Sequence, residues 1–187
     1  MREVDLARYP HKKAEDLFGI AAEIHAEIYS EPLFENHPFF SENAFRQRYE
    51  MALEQPRFEL LVARIDGREI GYMYGYALRP EVGWWDAVEW PADMRADQLG
   101  GYTSEDGSRT VVIPEILVRL PHRRRGIARA MHDEFLSGRK ERRAGLRVLP
   151  NNLAAKAAYL KWGWNTIGMV RPVAEAPLYE CMVKSLH

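Results

Sequence analysis

A chain of 187 residues with 47% apolar and 28% charged side chains is expected to fold as one domain over 1–187 and is not a disordered tail. Its net charge of -1 excludes the broad electrostatic footprint of a nucleic-acid binder, and no nucleic-acid partner is expected. The charged start Met1-Arg2-Glu3-Val4-Asp5-Leu6 and the lack of any run of about 18 apolar residues predict no secretory signal and no membrane span, hence a cytoplasmic location.

Arg2 to Tyr9 reads as a strand. Lys13 to Tyr29 places Ala14, Leu17, Phe18, Ala21, Ile24, His25 and Ile28 at helical spacing. Ser41 caps a second predicted helix that runs to about Leu53, where Pro56 follows. Phe58 to Ile65, the turn Asp66-Gly67 and Glu69 to Leu78 predict an antiparallel hairpin with Ile70, Tyr72, Tyr74 and Tyr76 on one face.

From Arg79 to Arg109 the pattern fades into an excursion far longer than ordinary connections of about 4–6 residues. Seven acids there stand against three arginines, a local charge of -4, beside Trp84, Trp85 and Trp90. An acidic and aromatic wall of this kind, with Trp84, Trp85 and Asp86 as substrate-binding candidates, suits a cationic, partly apolar amine.

Thr110 to Leu120 is strand-like, Gly126 to about Leu136 helix-like, Gly145 to Leu149 a short strand, and Asn152 to Trp162 an alanine-rich helix. Two strands follow, near Asn165 to Val170 and Pro177 to Ser185. Cys181 falls in the last as a buried strand residue, and one cysteine forms no internal disulfide. The six histidines show no metal-ligand spacing, and no metal is expected.

The segment Ile116-Leu117-Val118-Arg119-Leu120-Pro121-His122-Arg123-Arg124-Arg125-Gly126-Ile127-Ala128-Arg129 is a strand, a basic turn and a helix start. A glycine and a small residue at the start of a helix let an anion reach free amide N–H groups, aided by the helix dipole. The run is neither a Walker A loop nor a Gly-x-Gly-x-x-Gly fingerprint. It resembles the Arg/Gln-x-x-Gly-x-Gly/Ala signature of the GNAT N-acetyltransferases, met by Arg123, Gly126 and Ala128.

A second stretch is similar to the same family's later segment, Asn-x-x-Ala-x-x-x-Tyr-x-x-x-Gly-aromatic, through Asn152, Ala155, Tyr159, Gly163 and Trp164. The two stretches cover roughly the C-terminal 80 residues. Ala128 replaces the second glycine, and Trp164 stands where phenylalanine is usual.

The resemblance implies an α/β fold with a mixed central sheet of about six to seven strands flanked by about four helices. It implies acetyl-CoA as cosubstrate. The backbone of Ile116, Leu117 and Val118 would hold the pantetheine arm, and Arg123, Arg124, Arg125, Gly126, Ile127, Ala128 and Arg129, with Asn152, would bind the rest of the cofactor. The expected reaction moves an acetyl group to the primary amine of a small, cationic acceptor by direct attack in a ternary complex. Tyr159 would protonate the departing thiolate.

The base must deprotonate an ammonium whose ordinary pKa is about 10.4. Strand alternation puts Glu115 on the same face as Leu117 and makes it the first choice, with Asp86 and Glu89 as alternatives. Competing readings are a non-catalytic acyl-CoA sensor, or an enzyme acting on a protein or aminoacyl-RNA amine. A homodimer is compatible with all of these.

Overall fold

In the computed structural model, which describes residues 3–34, 36–93 and 96–186, Asp66 and Gly67 turn with φ of 52° and 75°. Two successive left-handed residues match the right-handed twist of paired strands, so the predicted hairpin forms at this dipeptide.

The elements run in the order β1 (Asp5–Pro10), α1 (His11–Glu15), α2 (Phe18–Tyr29), α3 (Glu42–Leu53), β2 (Glu59–Ile65), β3 (Arg68–Ala77), β4 (Val88–Glu89), α4 (Ala96–Thr103), β5 (Thr110–Val118), α5 (Ile127–Ser137), β6 (Arg143–Val148), α6 (Leu153–Lys161), β7 (Asn165–Val170) and β8 (Tyr179–Ser185). The described residues thus hold eight strands and six helices, somewhat more than the expected six to seven and four. Arg2, where the first strand was expected to begin, lies outside the described residues.

The extra elements are short ones. The expected helix from Lys13 to Tyr29 is broken between α1 and α2. There the Ala14 carbonyl accepts the Leu17 N–H at 3.1 Å, in a tight turn, and also the Tyr49 hydroxyl at 3.0 Å. Inside the excursion, β4 is a two-residue strand that pairs with β7 through Val88↔Val170 and Glu89↔Met169. Neither α4 nor β4 is long enough to print a clear period on the sequence.

By its internal contacts the chain divides into two compact units, 1–76 with 113–139, and 77–112 with 140–187. In the first, the strand order is β1-β2-β3-β5, with β5 present from Ile113 onward. β1 and β3 flank β2 antiparallel, in registers that include Ala7↔Val62 and Val62↔Tyr72. α2 buries Ala21, Ala22, Ile24, His25 and Ile28, and α3 buries Phe45, Tyr49, Ala52 and Leu53. Ser41 caps α3 through the Ala44 N–H, as predicted.

Aromatic rings fill this core. Tyr49 meets Tyr74 at 5.3 Å and Phe45 at 5.6 Å between centroids, and Tyr72 and Tyr74 are wholly buried. Gly71 is required on β3, since a Cβ there would lie 2.5 Å from the Leu117 carbonyl oxygen of β5.

In the second unit the order is β6-β8-β7-β4, and Thr110 to Val112 of β5 lie beside β6. β8 pairs antiparallel with β6 (Gly145↔Val183) and with β7 (Asn165↔Val183). Cys181 is fully buried, and burial pushes its thiol up to about 11, consistent with an inert strand residue. Trp164 is buried in the same unit.

Candidate functional site

The basic turn after β5 belongs to the first unit. Beyond Val118, residues Leu120–His122 form a 3-10 turn, Arg124 and Gly126 take φ of 60° and 81°, and α5 begins at Ile127. α5 has no side-chain N-cap, whereas α3 and α6 are capped by Ser41 and Asn152. Among the described residues, apart from its chain neighbours, nothing lies within 4 Å of a Cβ built on Gly126. First-turn amide groups without a side-chain acceptor, next to open space, fit the pyrophosphate of a CoA thioester.

The arginines of the turn divide by role. Arg123 donates through Nε to the Val118 carbonyl at 2.9 Å, and its two terminal nitrogens grip both carboxylate oxygens of Glu31. Arg119 donates to the Glu69 carbonyl and pairs with Glu23 and Glu27. Arg123 therefore braces the loop, while Arg124 and Arg125 are exposed and α5 carries Arg129 paired with Asp133. Sequence reasoning missed Glu23, Glu27 and Glu31. Their four-residue spacing was the available signal, because it lines one helical face with carboxylates.

Glu115 sits two residues before Leu117 on β5 and is buried in the first unit's aromatic core. The Tyr72 hydroxyl donates to its Oε2, and His25 Nε2 lies 3.6 Å from Oε1. Burial raises the Glu115 carboxyl to about 7, against the opposing effects of the Tyr72 hydrogen bond and the Arg48 charge. Burial, with Arg48 second, lowers His25 to about 3. The imidazole is thus neutral at neutral pH, and the 3.6 Å approach is not an ion pair. Among the described residues, none hydrogen-bonds either buried ring nitrogen of His25, an arrangement that costs about 1–3 kcal/mol.

The other candidates lie in the second unit. Tyr159 packs edge-on against Trp162 at 5.6 Å and tilted against Trp164 at 6.2 Å, and burial lifts its hydroxyl to about 12. Asn152 accepts the Ala155 N–H at 3.2 Å, so its side-chain oxygen caps α6.

Trp84 and Trp85 are buried, and arginines of the same unit occupy their faces. The Arg147 guanidinium stands 3.8 Å over Trp84, and that of Arg143 lies 4.7 Å from Trp85 and 4.2 Å from Tyr102. Glu105, which had no assigned role, gathers Trp85, Thr110 and Arg143 on its Oε1. Asp86 is the exposed member, at a cavity of about 70 Å³ lined also by Leu78, Arg79, Trp84, Trp85 and Glu105. Among the described residues no cluster of His, Cys, Asp and Glu could hold a metal ion, and no helix is long and apolar enough to cross a membrane.

Comparison with solved structures gives matches over nearly the whole chain. An acetyltransferase from Thermus thermophilus superposes with a TM-score of 0.61 at 16% identity, covering 99% of each chain. The ribosomal-protein-S18-alanine N-acetyltransferase from Escherichia coli gives 0.61 at 14% identity, covering 98% of this chain and 94% of the other. A spermidine N-acetyltransferase chimera of Vibrio cholerae SpeG and hSSAT gives 0.60 at 13% identity, covering 98% and 95%. These likenesses show the fold. No curated protein matches the sequence. The sequence profile of the acetyltransferase (GNAT) family matches residues 22–164, more than half of the chain, and includes the basic turn, Glu115 and Tyr159; the chain belongs to that family.

Proposed function

We propose that this protein transfers the acetyl group of acetyl-CoA to the primary amine of a small, cationic acceptor by direct attack in a ternary complex. The observation that carries the reading is Glu115, a buried carboxyl with its proton affinity raised to about 7, on the strand that leads into an uncapped helix N-terminus. When bound, acetyl-CoA supplies an activated acyl group and a thiolate leaving group.

The chain supplies the rest. The backbone from Arg124 to Arg129 receives the pyrophosphate, and that of Ile116, Leu117 and Val118 aligns the pantetheine arm. Glu115 takes the proton from the acceptor ammonium, a task suited to a carboxyl near neutrality more than to one at its ordinary value. Tyr159, whose hydroxyl keeps its proton to about pH 12, donates a hydrogen bond to the leaving sulfur and passes its proton there as it takes another from solvent, while Glu115 returns its own to solvent. Asn152 acts through α6, whose first turn its side chain fixes.

Spermidine and a ribosomal-protein alanine are the acceptors named for two of the structural neighbours, and both present amines. The exposed Asp86 carboxylate favours the small cationic class here by its charge, the faces of Trp84 and Trp85 being taken by Arg147 and Arg143. Thiol release from acetyl-CoA across small amines, polyamines, aminoglycosides and peptides tests the reading. Turnover of a cationic amine is the expected result. Acetyl-CoA binding without turnover of any class would contradict catalysis and support the sensor reading.

A further inference from the structure

Three buried side chains from three elements of the first unit meet at one carboxyl: Glu115 of β5, Tyr72 of β3 and His25 of α2. The imidazole stacks on Phe45, at 4.1 Å and 19°, and lies tilted by 36° against Tyr29, at 4.3 Å. A phenylalanine would fill that slot without stranding two ring nitrogens. A polar residue in an aromatic stack therefore calls for a chemical reason.

We infer that Tyr72 and His25 are positioning residues for Glu115, each serving one carboxyl oxygen and one protonation state. Tyr72 donates to Oε2 and holds the carboxylate form, while neutral His25 accepts from Oε1 once the carboxyl is protonated. The inference rests on the reading of Glu115 as the base. With Oε2 engaged by the phenol, an incoming proton lands on Oε1, which faces His25 Nε2 at 3.6 Å. Protonation shortens that approach to a hydrogen bond. One N–H bond of the ammonium breaks and one O–H bond forms on Glu115; Tyr72 keeps its proton, because burial holds its phenol well above the ordinary value.

The other charged or titratable groups that bear on this carboxyl are Arg48 and Tyr49 of α3, Tyr29 of α2 and Tyr74 of β3. Arg48 favours the carboxylate. Burial holds the hydroxyls of Tyr49 and Tyr74 above their ordinary value, so they stay protonated; against the fixed charge of Arg48, Tyr72 and His25 are the neutral groups placed at the two carboxyl oxygens themselves.

The two neighbours push the midpoint in opposite directions, which gives a test that loosened packing cannot imitate. Glu115 in the 187-residue chain is titrated by the infrared carboxyl band that disappears in Glu115→Gln. Tyr72→Phe removes a donor to the charged form and is expected to raise the midpoint by about one to two pH units. His25→Phe keeps the stack, removes the acceptor of the acid form, and is expected to lower it. Water entering a loosened core lowers both. A Tyr72→Phe midpoint that stays or falls overturns the inference, as does a His25→Phe midpoint that rises.

Should Tyr72→Phe fail to fold, 3-fluorotyrosine at position 72 is a stronger donor of nearly equal size and must lower the midpoint. An unmoved midpoint there also overturns the inference. The pH–rate profile separates the two readings: midpoints that move as stated while the rate limb does not follow uphold the clamp and remove Glu115 as base.

Discussion

Replacing Glu115 by glutamine is expected to stabilise the protein, and to do so only at higher pH. The folded carboxyl titrates at about 7 against an ordinary value of 4.5. A raised folded value means that the native state holds its proton longer than the unfolded chain does. Stability from this group is fully present below about pH 4.5 and is lost as pH rises to about 7. A difference of about 2.5 units corresponds to about 3 kcal/mol. Glutamine keeps the shape, accepts from Tyr72, can donate to His25 and carries no charge to bury.

The stability of Glu115→Gln relative to wild type should therefore grow by about 3 kcal/mol between pH 4.5 and pH 8. His25 works in the opposite sense. Its folded value of about 3 lies below the ordinary 6.5, so its contribution is present above about 6.5 and is lost as pH falls. It partly cancels the Glu115 slope in the wild type, and because it begins at a lower pH than the Glu115 loss, the difference between the two proteins above about pH 6.5 reports Glu115. Urea unfolding of both proteins at five pH values measures this directly. A stability difference that does not change with pH would refute the assignment of Glu115 as a buried, elevated carboxyl, whatever the enzyme's activity.

Tyr159→Phe should lower turnover at least tenfold while leaving acetyl-CoA affinity nearly unchanged, since the hydroxyl is needed at the leaving sulfur; equal losses in both, from steady-state rates and a binding titration, would argue for a packing role. Glu31→Gln removes the carboxylate gripped by Arg123 in a pair about one-third exposed, worth at most about 1 kcal/mol, and should weaken acetyl-CoA binding up to about fivefold while lowering the thermal transition by no more than about 2–4 °C. Gly71→Ala drives a Cβ into the Leu117 carbonyl and should cost about 2 kcal/mol. Differential scanning calorimetry would record this as a drop of about 4–8 °C, and an unchanged transition would contradict the close approach of β3 to β5.

The hairpin at Asp66-Gly67 and the Ser41 cap were legible because each is written in adjacent residues, with its conformational reason attached. The basic turn was legible for the same cause: Arg123, Gly126 and Ala128 form a local pattern, and the glycine turns with φ of 81°. Less legible was anything decided by partners distant in sequence. Nothing local marks that Ala14 gives its carbonyl to Tyr49 and so breaks a helix whose period runs on, or that β4 exists because Val88 meets Val170.

The same holds for the site. Periodicity put His25 and Tyr72 on buried faces, but only folding brings them to the two oxygens of Glu115. Trp84 and Trp85 read as free aromatic surface until Arg147 and Arg143, far along the chain, are seen on their faces. Arg123, read as a cofactor ligand, has its guanidinium on Glu31. Charge pattern alone does not tell a phosphate-binding arginine from a structural one.

The most direct test of the account is an isothermal titration of the 187-residue chain with acetyl-CoA. The uncapped α5 N-terminus and the open space at Gly126 predict saturable binding of one equivalent, weakened by Gly126→Val; absence of any acetyl-CoA binding by the folded protein would contradict the proposed function as a whole.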